Sequence, residues 1–300
     1  MLWVEKYRPK TIQECILPDN LKTVFQEFVN KKEIPNMLLS GTAGIGKTTV
    51  AKALCEEVGC DYMMINGSDE RGIGVMQTQV KNYATAMSFT GGRKVVIIDE
   101  ADNLTPDAQK ALRGMMEEVS RNCTFIFTCN FKARILEAIQ SRCTNMDLKA
   151  NGSKAKMATQ FFKRMEFILK EEGVDYDREV VAAIITKHFP DNRRVINELQ
   201  RYSASGSIDK GVLASVSDVQ LNELIASLKT KDYAGARKWV ATNIDNEPTA
   251  LYRKLYDGLQ DHLKPQSVPQ LVLHLAKYQY QAAFVADHEV NMLACLTEIM

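Results

Sequence analysis

The eight residues Gly41-Thr42-Ala43-Gly44-Ile45-Gly46-Lys47-Thr48 constrain this chain more than any other stretch. They fit the pattern G-x-x-x-x-G-K-[ST]. An apolar tetrad, Met37-Leu38-Leu39-Ser40, precedes them, and a helical pattern from Thr48 to Val58 follows, with Val50, Ala51, Leu54 and Val58 on one face. A glycine-rich turn that leaves a strand and opens a helix presents free backbone amides at a helix N-terminus, where the dipole favours negative charge. The pattern predicts a polyphosphate cradle formed by Gly44, Ile45, Gly46 and the helix start through Thr49. In it Lys47 meets the β/γ-phosphates and Thr48 offers a hard oxygen to Mg²⁺. A chance glycine-rich turn is the plain alternative, and the strand–loop–helix context argues against it.

The rest of the first half alternates strand and helix signals, the signature of a parallel sheet covered by helices. Strands are expected at Tyr62–Asn66, 94–98, Thr124–Asn130 and Thr144–Leu148, with a helix over about 75–88 and the break Gly91-Gly92 before the third strand. Thr105-Pro106-Asp107 starts another helix: a hydroxyl N-cap, proline at the first helical position and an acid at the positive dipole end. After Ala150-Asn151-Gly152-Ser153 the strand signals stop, and 154–172, 177–188 and 191–202 read as amphipathic helices separated by Gly173 and Pro190. Beyond the polar stretch 203–207, helices resume from about 217, broken near 246–248 and 264–266. The expected layout is an α/β domain over 1–150, a small helical domain over 151–215 and an all-α domain over 216–300.

Composition excludes more than it identifies. Lys plus Arg number 38 against 37 Asp plus Glu, a formal charge of +1, so the chain is not coated in positive charge, although local basic patches stay open. No apolar run approaches the roughly 18 residues of a membrane span. The charged N-terminus has no signal-peptide core. The seven cysteines form no Cys-x-x-Cys pair and none adjoins a histidine, which favours reduced structural thiols in a cytoplasmic protein over a zinc site.

Val95-Val96-Ile97-Ile98 reads as a strand buried on both faces, and it runs into Asp99-Glu100. In-line attack on a γ-phosphate needs a metal-holding acid and a carboxylate that orients water; Asp99 takes the first role and Glu100 the second. This pair favours ATP hydrolysis over GTPase chemistry. Asn130, ending the next strand, is a candidate γ-phosphate sensor, although asparagine also commonly ends strands. Arg142, in Ser141-Arg142-Cys143, is a candidate for trans action on a neighbouring subunit; taken alone it would read as surface. Arg193 follows Pro190-Asp191-Asn192 at a helix start, where a cation opposes the dipole unless something anionic is near. Arg71, in the loop Ser68–Ile73, and the helical Lys81, Lys110 and Arg113 are candidate DNA-phosphate contacts. The plain reading is solvated charge, with Arg113 pairing to Glu117 four residues on.

In order, these residues resemble the AAA+ subunits of sliding-clamp loaders, the replication factor C family and its phage relatives. Trp3-Val4-Glu5-Lys6-Tyr7-Arg8-Pro9 resembles that family's N-terminal box, Asn66–Ile73 its characteristic loop, Ser141-Arg142-Cys143 its arginine-finger signature and Asp191–Asn197 its sensor-2 helix. The short length and the Glu5–Pro9 and Glu14–Pro18 segments resemble the large subunit of the tailed-phage branch. Two departures stand out: Ile45 occupies a position where a small hydroxyl residue is common, and Gly114 one where a basic residue is frequent. The resemblance implies an AAA+ P-loop NTPase fold with a five-stranded parallel sheet, a helical lid and a C-terminal collar. It implies adenine packing by Val4, Tyr7, Arg8 and Pro9, and ATP with Mg²⁺ as cofactors. It also implies a pentameric assembly of several copies with a distinct subunit, and as partners a sliding clamp and primer–template DNA. The chain would open the clamp, place it and release it on hydrolysis, in the bacterial host cytoplasm if phage-encoded. A DNA-translocating AAA+ motor, such as a branch-migration or helicase-loading protein, is the alternative.

Overall fold

Each apolar run expected as a strand is one. β1 (Met37–Ser40), β2 (Tyr62–Asn66), β3 (Lys94–Asp99), β4 (Cys123–Cys129) and β5 (Thr144–Asp147) form a parallel sheet in the order β2-β3-β4-β1-β5. Alternation of side chains across the pleat divides the apolar residues between two cores. Met37, Leu39, Val95, Ile97 and Ile126 pack with Phe25, Val50 and Leu54 on one face. Leu38, Val96, Ile98, Phe125 and Phe127 pack with Val80, Leu112 and Met116 on the other. Burial on both faces is why these strands read as continuous apolar runs.

The computed structural model describes residues 1–68, 73–87, 93–149, 154–204, 206–209, 218–243, 248–259 and 262–300. They divide into two units, Met1–Asp209 and Lys210–Met300. In the first, helices α1 (Trp3–Lys6), α2 (Asp19–Lys31), α3 (Lys47–Val58), α4 (Ile73–Thr85), α5 (Pro106–Glu118) and α6 (Glu137–Gln140) accompany the sheet. As Thr105-Pro106 implies, the Thr105 hydroxyl accepts from the Ala108 amide at 3.3 Å and caps α5. Helices α7 (Lys154–Glu171), α8 (Arg178–His188) and α9 (Asn192–Ser203) follow, around Phe161, Met165, Ile184, Val195 and Leu199. One expectation needs correction here. Strands do not stop at 150: β6 (Asp175–Tyr176) pairs in parallel with β7 (Ser207–Ile208), which starts at the last residue of the polar stretch 203–207.

The regular structure among the described residues of the second unit is all helical: α10 (Asp218–Thr230), α11 (Tyr233–Asn243), α12 (Pro248–Leu259), α13 (Val268–Ala282) and α14 (His288–Ile299). Its core gathers Leu224, Trp239, Leu255, Leu275 and Leu296. The chain also breaks between α10 and α11 and between α13 and α14, where the sequence reading runs on as helix. Among the described residues no helix is long and apolar enough to cross a membrane.

Candidate nucleotide site

The sheet delivers the ends of β1, β3 and β4 to one edge, because the parallel register sets Asn66 beside Asp99 and Ser40 beside Cys129. The phosphate loop leaves β1 there and turns into α3 through Gly44 at φ +73° and Gly46 at φ +104°, a region open to glycine and costly for other residues. Gly44 is doubly required: a Cβ there would lie 1.8 Å from the Asp191 Oδ1 of the helical lid. Lys47 is buried, and its Nζ donates to Gly41 O at 3.0 Å, Thr42 O at 2.9 Å and Asn130 Oδ1 at 2.7 Å. Burial pushes its pKa down, since the charged form loses hydration.

Asp99 ends β3 with its Oδ1 accepting from the Thr48 hydroxyl at 2.7 Å and the Thr128 hydroxyl at 2.6 Å. Thr128 in turn accepts from the Glu100 amide at 3.0 Å, so one hydroxyl ties both acids to β4. Glu100 itself is in the left-handed region, φ +52° and ψ +44°, a conformation that persists in a non-glycine residue only where the surroundings hold it. Its Oε2 accepts from the Ser68 hydroxyl at 2.5 Å and from Asn103 Nδ2 at 3.4 Å. Behind Asn130, the Asp102 carboxylate accepts from the amides of Asn130 at 3.1 Å and Phe131 at 3.0 Å.

These groups line one cavity of about 280 Å³. Val4, Tyr7, Arg8 and Pro9 close one side of it; Gly44, Ile45, Gly46, Lys47, Thr48 and Thr49 form its floor. Asp99, Glu100 and Asn130 stand at the sheet end, and Arg193 enters from the lid. The N-terminal box is anchored to the lid: Tyr7 Oη donates to Glu172 at 2.7 Å, Lys6 pairs with the same oxygen at 2.7 Å, and Arg164 donates to Tyr7 O at 3.1 Å. A deep slot with apolar walls from Val4, Pro9, Ile16, Met165, Ile168 and Ile196, and a floor of amides around one lysine, suits a nucleoside triphosphate.

Residues 37–150 match the ATPase family associated with various cellular activities, and 153–214 match the sliding-clamp-loader large subunit, AAA+ ATPase lid domain. The sliding-clamp-loader large subunit of Enterobacteria phage T4 is 36% identical over 295 residues, 96% of this chain and 92% of that one. Its counterpart from Escherichia phage RB69 is 38% identical, covering 98% and 94%. The replication factor C small subunit of Archaeoglobus fulgidus is 36% identical, covering 90% and 89%. The chain belongs to the AAA+ sliding-clamp-loader family. A solved RuvB mutant from Thermotoga maritima shares the fold, with TM-score 0.57 at 20% identity over 83% of this chain and 85% of that one.

As a family member the chain is a nucleotide-binding ATPase, and among the described residues the remaining candidates, Arg142, Lys81, Lys110 and Arg113, do not line the cavity. The Arg142 guanidinium binds Glu117 Oε1 through Nε at 3.0 Å and Nη2 at 2.5 Å, and Ala138 O through Nη1 at 2.8 Å. Glu117 therefore pairs with Arg142, not with Arg113 as helix spacing suggests. Lys81 on α4 pairs with Glu118 at 3.1 Å, and Lys110 on α5 with Asp107 at 3.0 Å; Arg113 is exposed. Arg71 lies outside the described residues. Residues the motif reading passes over are Thr128, Ser68 as a partner of Glu100, Asp102 and Asn192. Asp102 had a signal, as the last acid of Asp99-Glu100-Ala101-Asp102; Thr128 had none, because its role comes from the pairing of β4 with β3.

Proposed function

We propose that this clamp-loader ATPase works in a multi-subunit assembly that opens a ring-shaped polymerase clamp, sets it on primer–template DNA and releases it when ATP is hydrolysed. The observation that carries this reading is the division of the site. One chain supplies the base slot, the phosphate cradle and the water-orienting acid, while Arg142 lies outside the cavity on an exposed face. An arginine supplied in trans is worth about 10³–10⁵ in phosphoryl-transfer rate, so a site built this way fires only when subunits abut.

In this reading the loop amides and Lys47 bind the triphosphate, with Lys47 exchanging its carbonyl partners for phosphate oxygens. Thr48 and Asp99, whose oxygens lie 2.7 Å apart, fit a Mg²⁺ ion. Bound there, it would neutralise charge on the phosphate oxygens. Glu100 leaves Ser68, orients the attacking water and accepts its proton, and Asn130 hydrogen-bonds the γ-phosphate. A neighbour's Arg142, freed from Glu117, meets the charge that develops in transfer. Arg193 reports the nucleotide to the lid. Arg71, Lys81, Lys110 and Arg113 contact DNA phosphates and so read duplex shape rather than sequence. Residues 1–150 act as the ATPase domain, 151–215 as the lid and 216–300 as the collar of a pentamer with several copies of this chain, in the cytoplasm.

The test is steady-state ATPase of the purified assembly with clamp and primed DNA, separately and together. Synergy between clamp and primer–template supports the loader. Stimulation by any long DNA, indifferent to the clamp, would mean a translocating motor.

A further inference from the structure

Helix α3 begins at the nucleotide site and ends, at its other terminus, in a pair of thiols. Gly59 stands in the left-handed region at φ +75° just past the helix; its amide donates to Glu56 O at 3.2 Å, and the Cys60 amide donates to Cys55 O at 3.1 Å. These are the two hydrogen bonds of a Schellman turn, in which the residue after the glycine folds its side chain back onto the residue five positions earlier. Here both of those residues are cysteines. Their thiols hydrogen-bond to each other, and Cys60 Sγ also lies 3.6 Å from Cys55 O. Cys55 is buried in the core under the sheet, and Cys60 is half-buried.

The two thiols are chemically unequal. That of Cys55 is pushed up, first by the hydrogen bond with Cys60 and then by burial, so it keeps its proton. That of Cys60 is held below its ordinary value of 9.0, first by the hydrogen bond from Cys55, which stabilises the thiolate. Burial pushes up each of the other five cysteines, and even Cys143, which is also half-buried, reaches about 12. Cys60 further lines a cavity of about 640 Å³ that carries Lys31, Lys32 and Arg93 against the single acid Glu33. A thiol with thiolate character, in a cationic setting and against a second thiol, is the arrangement that oxidants select.

We propose that Cys55 and Cys60 are an oxidisable dithiol, which hydrogen peroxide closes into a disulfide across the end of α3. The Cys60 sulfur attacks one peroxide oxygen, the O–O bond breaks, and the departing hydroxide takes a proton and leaves as water; Cys60 is then a sulfenic acid. The Cys55 sulfur attacks the Cys60 sulfur, its proton goes to the departing hydroxyl, and a second water leaves. Two thiols are thereby oxidised to one disulfide while the peroxide is reduced to two waters. The resolving thiol is already in contact, so Cys60 is spared the irreversible higher acids, and a dithiol reductant returns both residues by exchange.

The experiment treats the reduced, folded full chain with hydrogen peroxide, alkylates the remaining thiols with iodoacetamide in denaturant, and weighs the tryptic peptides. Both cysteines fall in the peptide Ala53–Arg71, which has no internal lysine or arginine. The disulfide leaves this peptide unalkylated and two hydrogens lighter than its dithiol, and dithiothreitol restores both alkylation sites. It should form about tenfold or more faster than any oxidation at Cys143. Cys55→Ala should stop the reaction at the Cys60 sulfenic acid, trapped by dimedone, and Cys60→Ala should leave Cys55 a thiol. Melting curves establish that both variants are folded, and the wild-type peptide decides the matter without them. Two alkylated thiols in Ala53–Arg71 after Cys143 has been oxidised, or oxygen added at Cys60 with Cys55 still alkylated in wild type, overturns the proposal.

Discussion

Thr128→Val tests whether one hydroxyl holds Asp99 and Glu100 in the register that the proposed mechanism requires. Valine matches threonine in shape, so packing in β4 is kept while two hydrogen bonds are lost: the 2.6 Å donation to Asp99 and the 3.0 Å acceptance from the Glu100 amide. A bond to a carboxylate contributes about 1.5–3 kcal/mol and a neutral one about 0.5–1.5 kcal/mol, so a destabilisation of about 2–4.5 kcal/mol follows. The functional loss comes through Glu100. Its left-handed backbone is strained by roughly 1–3 kcal/mol and is held by this bond; released, it carries the carboxylate away from where water must be oriented. A misplacement worth about 2–3 kcal/mol of barrier lowers kcat about 30- to 150-fold. ATP affinity should change little, since Thr48 still donates to Asp99 and Lys47 is untouched. Single-turnover hydrolysis, nucleotide titration and melting curves separate these effects, and Thr128→Ser should restore the rate. A Thr128→Val protein with wild-type kcat would refute the reasoning.

Asp102→Ala removes the acceptor of the Asn130 and Phe131 amides; kcat should fall about tenfold or more with ATP affinity nearly intact, and Asp102→Asn should recover much of it. Pre-steady-state hydrolysis beside nucleotide titration checks this split. Arg142→Ala should inactivate the neighbour's site, so mixing mutant and wild-type subunits should lower activity more than in proportion, whereas strictly proportional loss would contradict trans action. The Glu172 carboxyl is held below its ordinary value of 4.5, first by the hydrogen bond from Lys6 and then by that from Tyr7. A carboxyl depressed in the fold stabilises it above the unfolded pKa and loses that contribution as pH falls through the folded one. The melting difference between wild type and Glu172→Gln should therefore be constant at neutral pH and shrink only under acid conditions; a difference that grows toward low pH would reverse the assignment.

Much of the nucleotide domain is legible because its signals are local. Five strands read as apolar runs because both faces of the sheet are covered, and the α5 start is written in Thr105-Pro106-Asp107. The phosphate loop carries its own geometry in its glycines. Helix α2 also carries a helical signal, in Leu21, Val24, Phe25 and Phe28, that a motif-led reading passes over. What stays hidden is set by contact between distant segments. β6 and β7 have two residues each, and only their pairing makes them strands. Thr128 looks like ordinary β-branched filler until the β3–β4 register sets it beside Asp99. Asn192 looks like part of a helix start, and its importance lies in the hydrogen bonds it donates to the Gly44 and Ile45 carbonyls of the phosphate loop.

Lys47 and Glu100 each have hydrogen-bond partners within the chain, and the proposed mechanism releases them by different means. Lys47 is held by three neutral acceptors. Phosphate oxygens add opposite full charges to the hydrogen bonds that the ammonium already makes, so ATP alone can draw the lysine away. Glu100 is different: a polyphosphate repels it and offers nothing in exchange for the Ser68 hydroxyl. Its release has to come from the Ser68 side. Ser68 begins the connection to α4, and α4 carries Lys81 and packs on α5, which carries Lys110 and Arg113. On the proposed function, DNA phosphate at Lys81, Lys110 and Arg113 would act on Glu100 through Ser68, and the Ser68 bond would restrain hydrolysis until DNA arrives. Ser68→Ala should raise DNA-free ATPase about ten- to 150-fold, the net worth of about 1.5–3 kcal/mol for a hydrogen bond to a carboxylate. Stimulation by primed DNA should shrink by a similar factor, with the fully stimulated rate unchanged. A variant whose DNA-free rate stays at the wild-type level or falls would mean that Ser68 positions Glu100 for catalysis instead of restraining it.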